Sequence, residues 1–225
     1  MSQSGRVKRT VETVEFTGPA GRIEGLLTIP EGARGAAVMC HPHPLFGGTM
    51  NNNVCFHGAL ALAESGRATL RFNFRGVGRS EGTYDEGRGE QDDLRAALRW
   101  LIERTGDEAP IIGGFSFGSR VALAVASTWT DPRPPAAVVA VGIAPRYLDL
   151  ASLPVCPVPT LVVQGDADEY GPLEDVRPLV SRWGAELRVV EGAGHFFVGR
   201  LDELRAVVGS SILISPIAAA PRYEI

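Results

Sequence analysis

The spacing of apolar and polar positions changes along the chain, and each change predicts an element. Val11–Thr17 and Arg22–Ile29 read as two strands around Gly18-Pro19-Ala20-Gly21, an antiparallel hairpin. Short apolar runs at Gly35–Cys40, Ala68–Phe74, Ala109–Gly113, Ala136–Ile143 and Thr160–Gln164 read as buried strands, and Glu186–Val190 as the last one. Between them lie helical stretches. Asn53–Ser65 ends at Gly66, and Glu90–Arg104 carries Leu94, Leu98 and Leu101 on one face. Ser119–Thr128 is apolar and Ala-rich, Pro172–Trp183 is helical with a disturbance expected at Pro178, and a final helix is predicted over Phe196–Leu213. Strands alternating with helices imply parallel βαβ units, so the expected class is α/β: a mostly parallel twisted sheet with an N-terminal antiparallel hairpin and helices on both faces. One domain is expected over residues 11–214, with a loose N-terminus at 1–10 and a tail at 215–225.

Composition narrows the function classes. The chain has 225 residues, 44% hydrophobic and 21% charged, which suits a folded domain with a large core. Its net charge of −4 and the lack of a basic patch argue against a nucleic-acid partner. No apolar run approaches the ~18 residues of a membrane span. Cys40, Cys55 and Cys156 are odd in number and show no metal-ligand spacing. The basic start Met1–Thr10 has no apolar stretch after it and does not read as a secretory leader. Together these lead to the expectation of a cytoplasmic protein with reduced thiols.

The candidate chemistry begins at Gly114-Phe115-Ser116-Phe117-Gly118, a G-x-S-x-G pattern. Glycines on both sides of the serine permit a very tight strand-to-helix turn, which lifts the hydroxyl clear of the sheet. Gly78-Arg79-Ser80-Glu81-Gly82 also matches, so context must decide. A buried strand precedes Ser116 and an apolar helix follows it. Ser80 is followed by Glu-Gly-Thr-Tyr-Asp-Glu-Gly, which is loop composition. Ser116 is therefore the nucleophile candidate and Ser80 a loop serine. A serine hydroxyl needs a base to take its proton and a carboxylate to orient the base. Two strand ends offer them: Gln164-Gly165-Asp166-Ala167-Asp168-Glu169 and Glu191-Gly192-Ala193-Gly194-His195.

From about Val11 to Leu213 the chain resembles an α/β-hydrolase, specifically the small lidless bacterial hydrolases with a His-Pro-His-Pro-Leu-Phe-Gly-Gly-Thr-Met segment. These are related in pattern to dienelactone hydrolases and serine carboxylesterases. The resemblance rests on His41–Asn52, Asn73–Ser80, the Ser116 turn, Gly165–Asp168 and Gly194-His195. It implies the order Ser, acid, His along the chain. Only His195 of the four histidines follows Ser116, so it is the implied base. Asp168 is the favoured acid, with Asp166 second, in a turn-capping role, and Glu169 third. The resemblance further implies an oxyanion hole from the backbone N–H of Phe117 and an N–H of the loop after the third strand. Pro42 and Pro44 have no N–H; Leu45 is favoured there, with His43 as the runner-up.

The implied activity is hydrolysis of carboxylic esters or thioesters of small to medium acyl groups, with no cofactor and no metal. Amide cleavage as an amidase or acyl-peptidase uses the same residues and stays open. A non-catalytic scaffold would be expected to lack one of the three, and all three are present. A homodimer through an edge strand also stays open. Serine rather than cysteine at the turn argues against dienelactone hydrolysis. The short stretch Ala144–Pro159 predicts an open site with no large cap domain. His41 and His43 read as loop-shaping residues rather than metal ligands, and His57 as a satisfied structural histidine. Of Arg75 and Arg79, one is expected to pair with the acidic group Glu90, Asp92 and Asp93. Cys40 reads as core, and the Phe196-Phe197 pair as core or acyl-pocket lining.

Overall fold

The computed structural model describes residues 8–211. The expected tail at 215–225 and most of the expected loose N-terminus lie outside these residues. Among them eight strands form one sheet in the order β1-β2-β4-β3-β5-β6-β7-β8. β1 (Arg9–Gly18) and β2 (Gly21–Pro30) are the expected hairpin, begun two residues early because Arg9 pairs with Pro30 and Thr10 with Ile29. β2 also pairs antiparallel with β4 (Arg67–Phe72). β3 (Gly35–Cys40), β5 (Ile111–Phe115), β6 (Ala137–Val141), β7 (Thr160–Gly165) and β8 (Glu186–Val190) continue the sheet with parallel pairings only. Their carboxyl ends share one edge, where ligands of open parallel sheets collect.

Among the described residues five α-helices cover the sheet: α1 (Asn53–Glu64), α2 (Gly89–Thr105), α3 (Phe117–Ser127), α4 (Leu173–Trp183) and α5 (Leu201–Ser210). The period-2 alternation of the strands sorts the core into two layers. Ala36, Val38 and Cys40 of β3 pack with Leu94, Leu98, Val121 and Val176 from α2, α3 and α4. Ala37 and Met39 pack on the other face with Val54, Leu62, Leu204 and Val208 from α1 and α5. Each large apolar side chain so buried contributes about 1.5–3 kcal/mol before entropy is counted. No helix among the described residues is long and apolar enough to cross a membrane.

Three expectations are corrected. β4 ends at Phe72 rather than Phe74: the Asn73 N–H still donates to Glu24 O of β2, but the Phe74 N–H leaves the ladder for His41 Nε2. α4 runs unbroken through Pro178, despite the missing N–H. The last helix begins at Leu201, not Phe196, because Phe197 (φ 51°) and Gly199 (φ 74°) take left-handed backbone. That loop drives the Phe197 ring fully into the core. Residues 142–159, between β6 and β7, form turns without a helix, so among the described residues no large cap stands over the strand ends.

Candidate active site

Ser116 joins β5 to α3 with φ 53° and ψ −114°, a conformation costly for any residue with a side chain. The surroundings over-determine it. Its N–H donates to Val141 O at 2.9 Å, and its carbonyl accepts from the Ser119 N–H at 2.9 Å and the Ser119 hydroxyl at 2.5 Å. The flanking glycines are required by crowding. A Cβ on Gly114 would collide with the Gly118 carbonyl, and one on Gly118 would sit 2.5 Å from Cys40 O and 2.6 Å from His41 O. The turn therefore presses α3 against the end of β3, and nothing larger than glycine fits between.

His195 follows β8, and its Nε2 lies 3.1 Å from Ser116 Oγ. On the other side of the ring, Nδ1 lies 2.9 and 3.1 Å from the two carboxylate oxygens of Asp168, after β7. A carboxylate only accepts, so Nδ1 carries the proton and Nε2 is bare, facing the serine hydroxyl. Asp168 is 2% and His195 4% exposed, so this pair is shielded from competing water. The carboxylate is held by three further donors. The Tyr170 and Gly171 N–H groups reach Oδ1 at 2.8 and 3.0 Å, and Gln164 Nε2 reaches Oδ2 at 2.7 Å. Rings of Phe115, Tyr170 and Phe196 surround the imidazole with centroids at 5.0, 4.5 and 5.2 Å.

Gln164 was not singled out from the sequence. Its Nε2 also lies within hydrogen-bond distance of Ile143 O and Gly171 O, and its Oε1 accepts the Ile143 N–H at 3.0 Å. It thus ties the Asp168 loop to the β6 end. A signal was available: a lone amide in the apolar strand Thr160-Leu-Val-Val-Gln-Gly must find partners when buried. The other acids lie apart. Asp166 is exposed and caps a turn by accepting the Gly192 N–H at 2.6 Å. Glu169 is exposed.

The loop after β3 forms the opposite side of the site. Phe117 is the first residue of α3, so its N–H has no intrahelical acceptor. His43 caps the single 3-10 turn Pro44–Phe46, its Nδ1 accepting the Leu45 N–H at 3.2 Å. The Leu45 amide, favoured on sequence for the oxyanion, is therefore already occupied by its neighbour. Among the described residues the His43 N–H has no hydrogen-bond acceptor. The His43 ring lies 5.0 Å from that of Phe117. His41 is fully buried, with Nδ1 donating to Pro42 O at 2.7 Å and Nε2 accepting the Phe74 N–H at 3.0 Å. Burial pushes its pKa down to about 4, and also lowers that of His43.

The remaining candidates find structural places. Ser80 Oγ donates to Asn73 O at 2.7 Å and accepts the Glu24 N–H at 3.1 Å. Arg75 forms a fork with Asp93 at 2.8 and 3.0 Å, while Arg79 pairs with Glu24 at 2.9 Å. Phe196 is 49% exposed beside His195, so the two phenylalanines divide, one at the site and one in the core. The three cysteines are buried and free; burial, with Cys55 and Asp93 adding to it, raises the Cys40 thiol pKa well above its ordinary value. His57 corrects its expectation: its Nδ1 is buried without a partner among the described residues. No three His, Cys, Asp or Glu side chains among the described residues are grouped to hold a metal ion.

Comparison with known proteins concerns the chain and its fold. A family model described as alpha/beta hydrolase fold matches residues 43–153. A solved alpha-beta serine hydrolase homologue from Coxiella burnetii is 42% identical, covering 88% of this chain and 95% of that one, with a TM-score of 0.82. An a/b serine hydrolase without lid from Xanthomonas campestris is 32% identical over 88% of this chain and 91% of its own, with a TM-score of 0.79. An uncharacterized protein of Rickettsia prowazekii is 34% identical, spanning 89% of this chain and 88% of its own length.

Proposed function

The chain belongs to the α/β-hydrolase family, and from that premise we propose that it is a serine hydrolase cleaving carboxylic esters or thioesters of small to medium acyl groups. The observation that carries the reading is the relay Asp168–His195–Ser116, with its bonds at 2.9 and 3.1 Å around a serine held at φ 53°. His195 Nε2 takes the hydroxyl proton as Ser116 Oγ attacks the acyl carbonyl carbon. The carbonyl electron pair moves to oxygen. The N–H groups of Phe117 and His43 donate to that oxygen, each such donor contributing roughly 3–4 kcal/mol to the transition state. His43 takes this role in place of Leu45 because its N–H is unoccupied. Collapse of the intermediate expels the alkoxide or thiolate, which leaves with the proton from His195. Water, deprotonated by His195, then cleaves the acyl-enzyme by the same steps and restores the serine.

The open strand ends and the lack of a helix between β6 and β7 favour substrates that need no enclosure, hence short or medium acyl groups. The test is labelling with a fluorophosphonate, with peptide mapping and turnover of ester, thioester and amide substrates of graded acyl length. Label on Ser116 and ester or thioester turnover are expected. Ser116→Ala should lose the label and lower kcat by roughly 10⁴–10⁶-fold while keeping the fold. Near-normal turnover by that variant would sink the reading.

A further inference from the structure

Tyr84 lies on the loop between β4 and α2, far in sequence from the candidate catalytic residues, yet its hydroxyl reaches the His43 ring. Tyr84 Oη is 3.1 Å from His43 Nε2. The other ring nitrogen, Nδ1, accepts the Leu45 N–H and so carries no proton. A neutral imidazole in this setting has its one proton on Nε2, and that proton points at Tyr84 Oη. The hydroxyl oxygen is the acceptor that this tautomer requires.

We propose that Tyr84 is a positioning residue for the loop after β3. Its hydroxyl oxygen holds His43 in the Nε2-protonated tautomer, and that tautomer fixes the loop whose His43 N–H meets the oxyanion. The second half of this statement rests on the serine-hydrolase reading; the first does not. The alternative tautomer puts a proton on Nδ1 against the Leu45 N–H, two donors face to face, and releases the cap of the Pro44–Phe46 turn. The ring and the N–H in question belong to one residue, so movement of the first moves the second.

The Tyr84 end of the contact is firmly held. The buried Glu90 carboxylate accepts the N–H groups of Asp85 at 2.9 Å and Gly87 at 2.8 Å. Upstream, the Glu81 N–H donates to Arg22 O at 2.8 Å. The tyrosine ring packs on His43 and Phe117 with centroids at 5.0 and 5.9 Å, and His43 in turn packs on Phe46 at 4.7 Å. Two loops and the start of α3 are thereby joined by one ring cluster. Burial raises the phenol pKa, as do the nearby Glu90 and Glu86 carboxylates, outweighing Arg120. Tyr84 stays a neutral hydroxyl, and no phenolate is present to favour an imidazolium.

The experiment combines ¹⁵N histidine spectroscopy with kinetics. In the wild type the His43 resonances, assigned by their loss in His43→Gln, should report a protonated Nε2 and a bare Nδ1. In Tyr84→Phe, which keeps the ring contacts, they should report a mixture of tautomers. The same variant should lower kcat on an acetyl ester about 10-fold with KM within about 2-fold. A trifluoromethyl ketone, which forms a tetrahedral adduct, should bind more weakly by the factor lost in kcat/KM. A wild-type His43 protonated at Nδ1 overturns the proposal whether or not the variant folds. So does a Tyr84→Phe enzyme with unchanged kcat or with a change in KM alone. A wild type that neither labels nor turns over overturns the serine-hydrolase reading and the oxyanion role with it; a labelled, active wild type with an unaffected Tyr84→Phe overturns the positioning role alone.

Discussion

The two sides of the candidate site are built from different interactions. On the β7–β8 side, Asp168 is a buried carboxylate with donors from Gln164, Tyr170, Gly171 and His195 all within 3.1 Å. On the β3 side, two histidines act as neutral bridges, each accepting a backbone N–H through one ring nitrogen. Charge-assisted bonds in a buried setting are strong and directional, so the first side is held by electrostatics. Neutral hydrogen bonds and ring packing hold the second, beneath exposed Leu45 and Phe46. The two sides should therefore fail differently: the first when a partner is removed, the second when a histidine gains a proton or loses its tautomer.

The largest effect should come from Asp168→Asn. It keeps the shape but offers an amide donor toward His195 Nδ1, and so favours the ring form whose Nε2 is protonated toward Ser116. A fall in kcat of about 10⁴-fold is expected, with an unchanged circular-dichroism spectrum. A loss of less than about 10-fold would erase the contrast between the two sides. Acid comes next and acts on the β3 side. Unfolded, His41 gains a proton near its ordinary pKa of 6.5; folded, it does so only near 4. Between those values the unfolded state binds more protons, so stability present at neutral pH is lost as pH falls through this window, by roughly 3 kcal/mol in all. Denaturant melts of wild type and His41→Gln from pH 7 to 4 check this: the variant should show a shallower decline. Equal slopes would remove His41 as the acid-sensitive part. The smallest effect is Gln164→Leu, which leaves the carboxylate three of its four donor groups. A loss of about 10-fold in kcat is expected, with a modest drop in Tm from the Ile143 amide left unpaired.

Much of this arrangement is legible before folding is considered. Ser116 stands out because glycines flank it at 114 and 118; Gly114 answers crowding within the turn, whereas the crowding at Gly118 comes from the end of β3. The proposed acid is legible in the sequence only as three alternatives within four residues. The geometry separates them, since Asp168 turns inward to His195 while Asp166 turns to Gly192 N–H. The proposed second oxyanion donor is hidden from the sequence for a related reason. Counting N–H groups in His41–Phe46 does not reveal that the Leu45 amide is occupied by the side chain of His43. The last helix was drawn too long because Phe196-Phe197 fits a helical period, whereas Phe197 is buried through a left-handed turn.

What the sequence determined by itself is therefore what depends on near neighbours: the strand and helix periods, the glycine-permitted turn at Ser116 and the short β6–β7 connection. What only the tertiary structure decided is which distant groups share a hydrogen bond. Tyr84 reaches His43, Gln164 joins Asp168 to Ile143, Arg75 takes Asp93 and Arg79 takes Glu24. Periodicity records which face of an element is apolar, because burial acts on every residue along it. It does not record the strand order that brings separate loops to one edge, and it is across that edge that each polar partner is chosen.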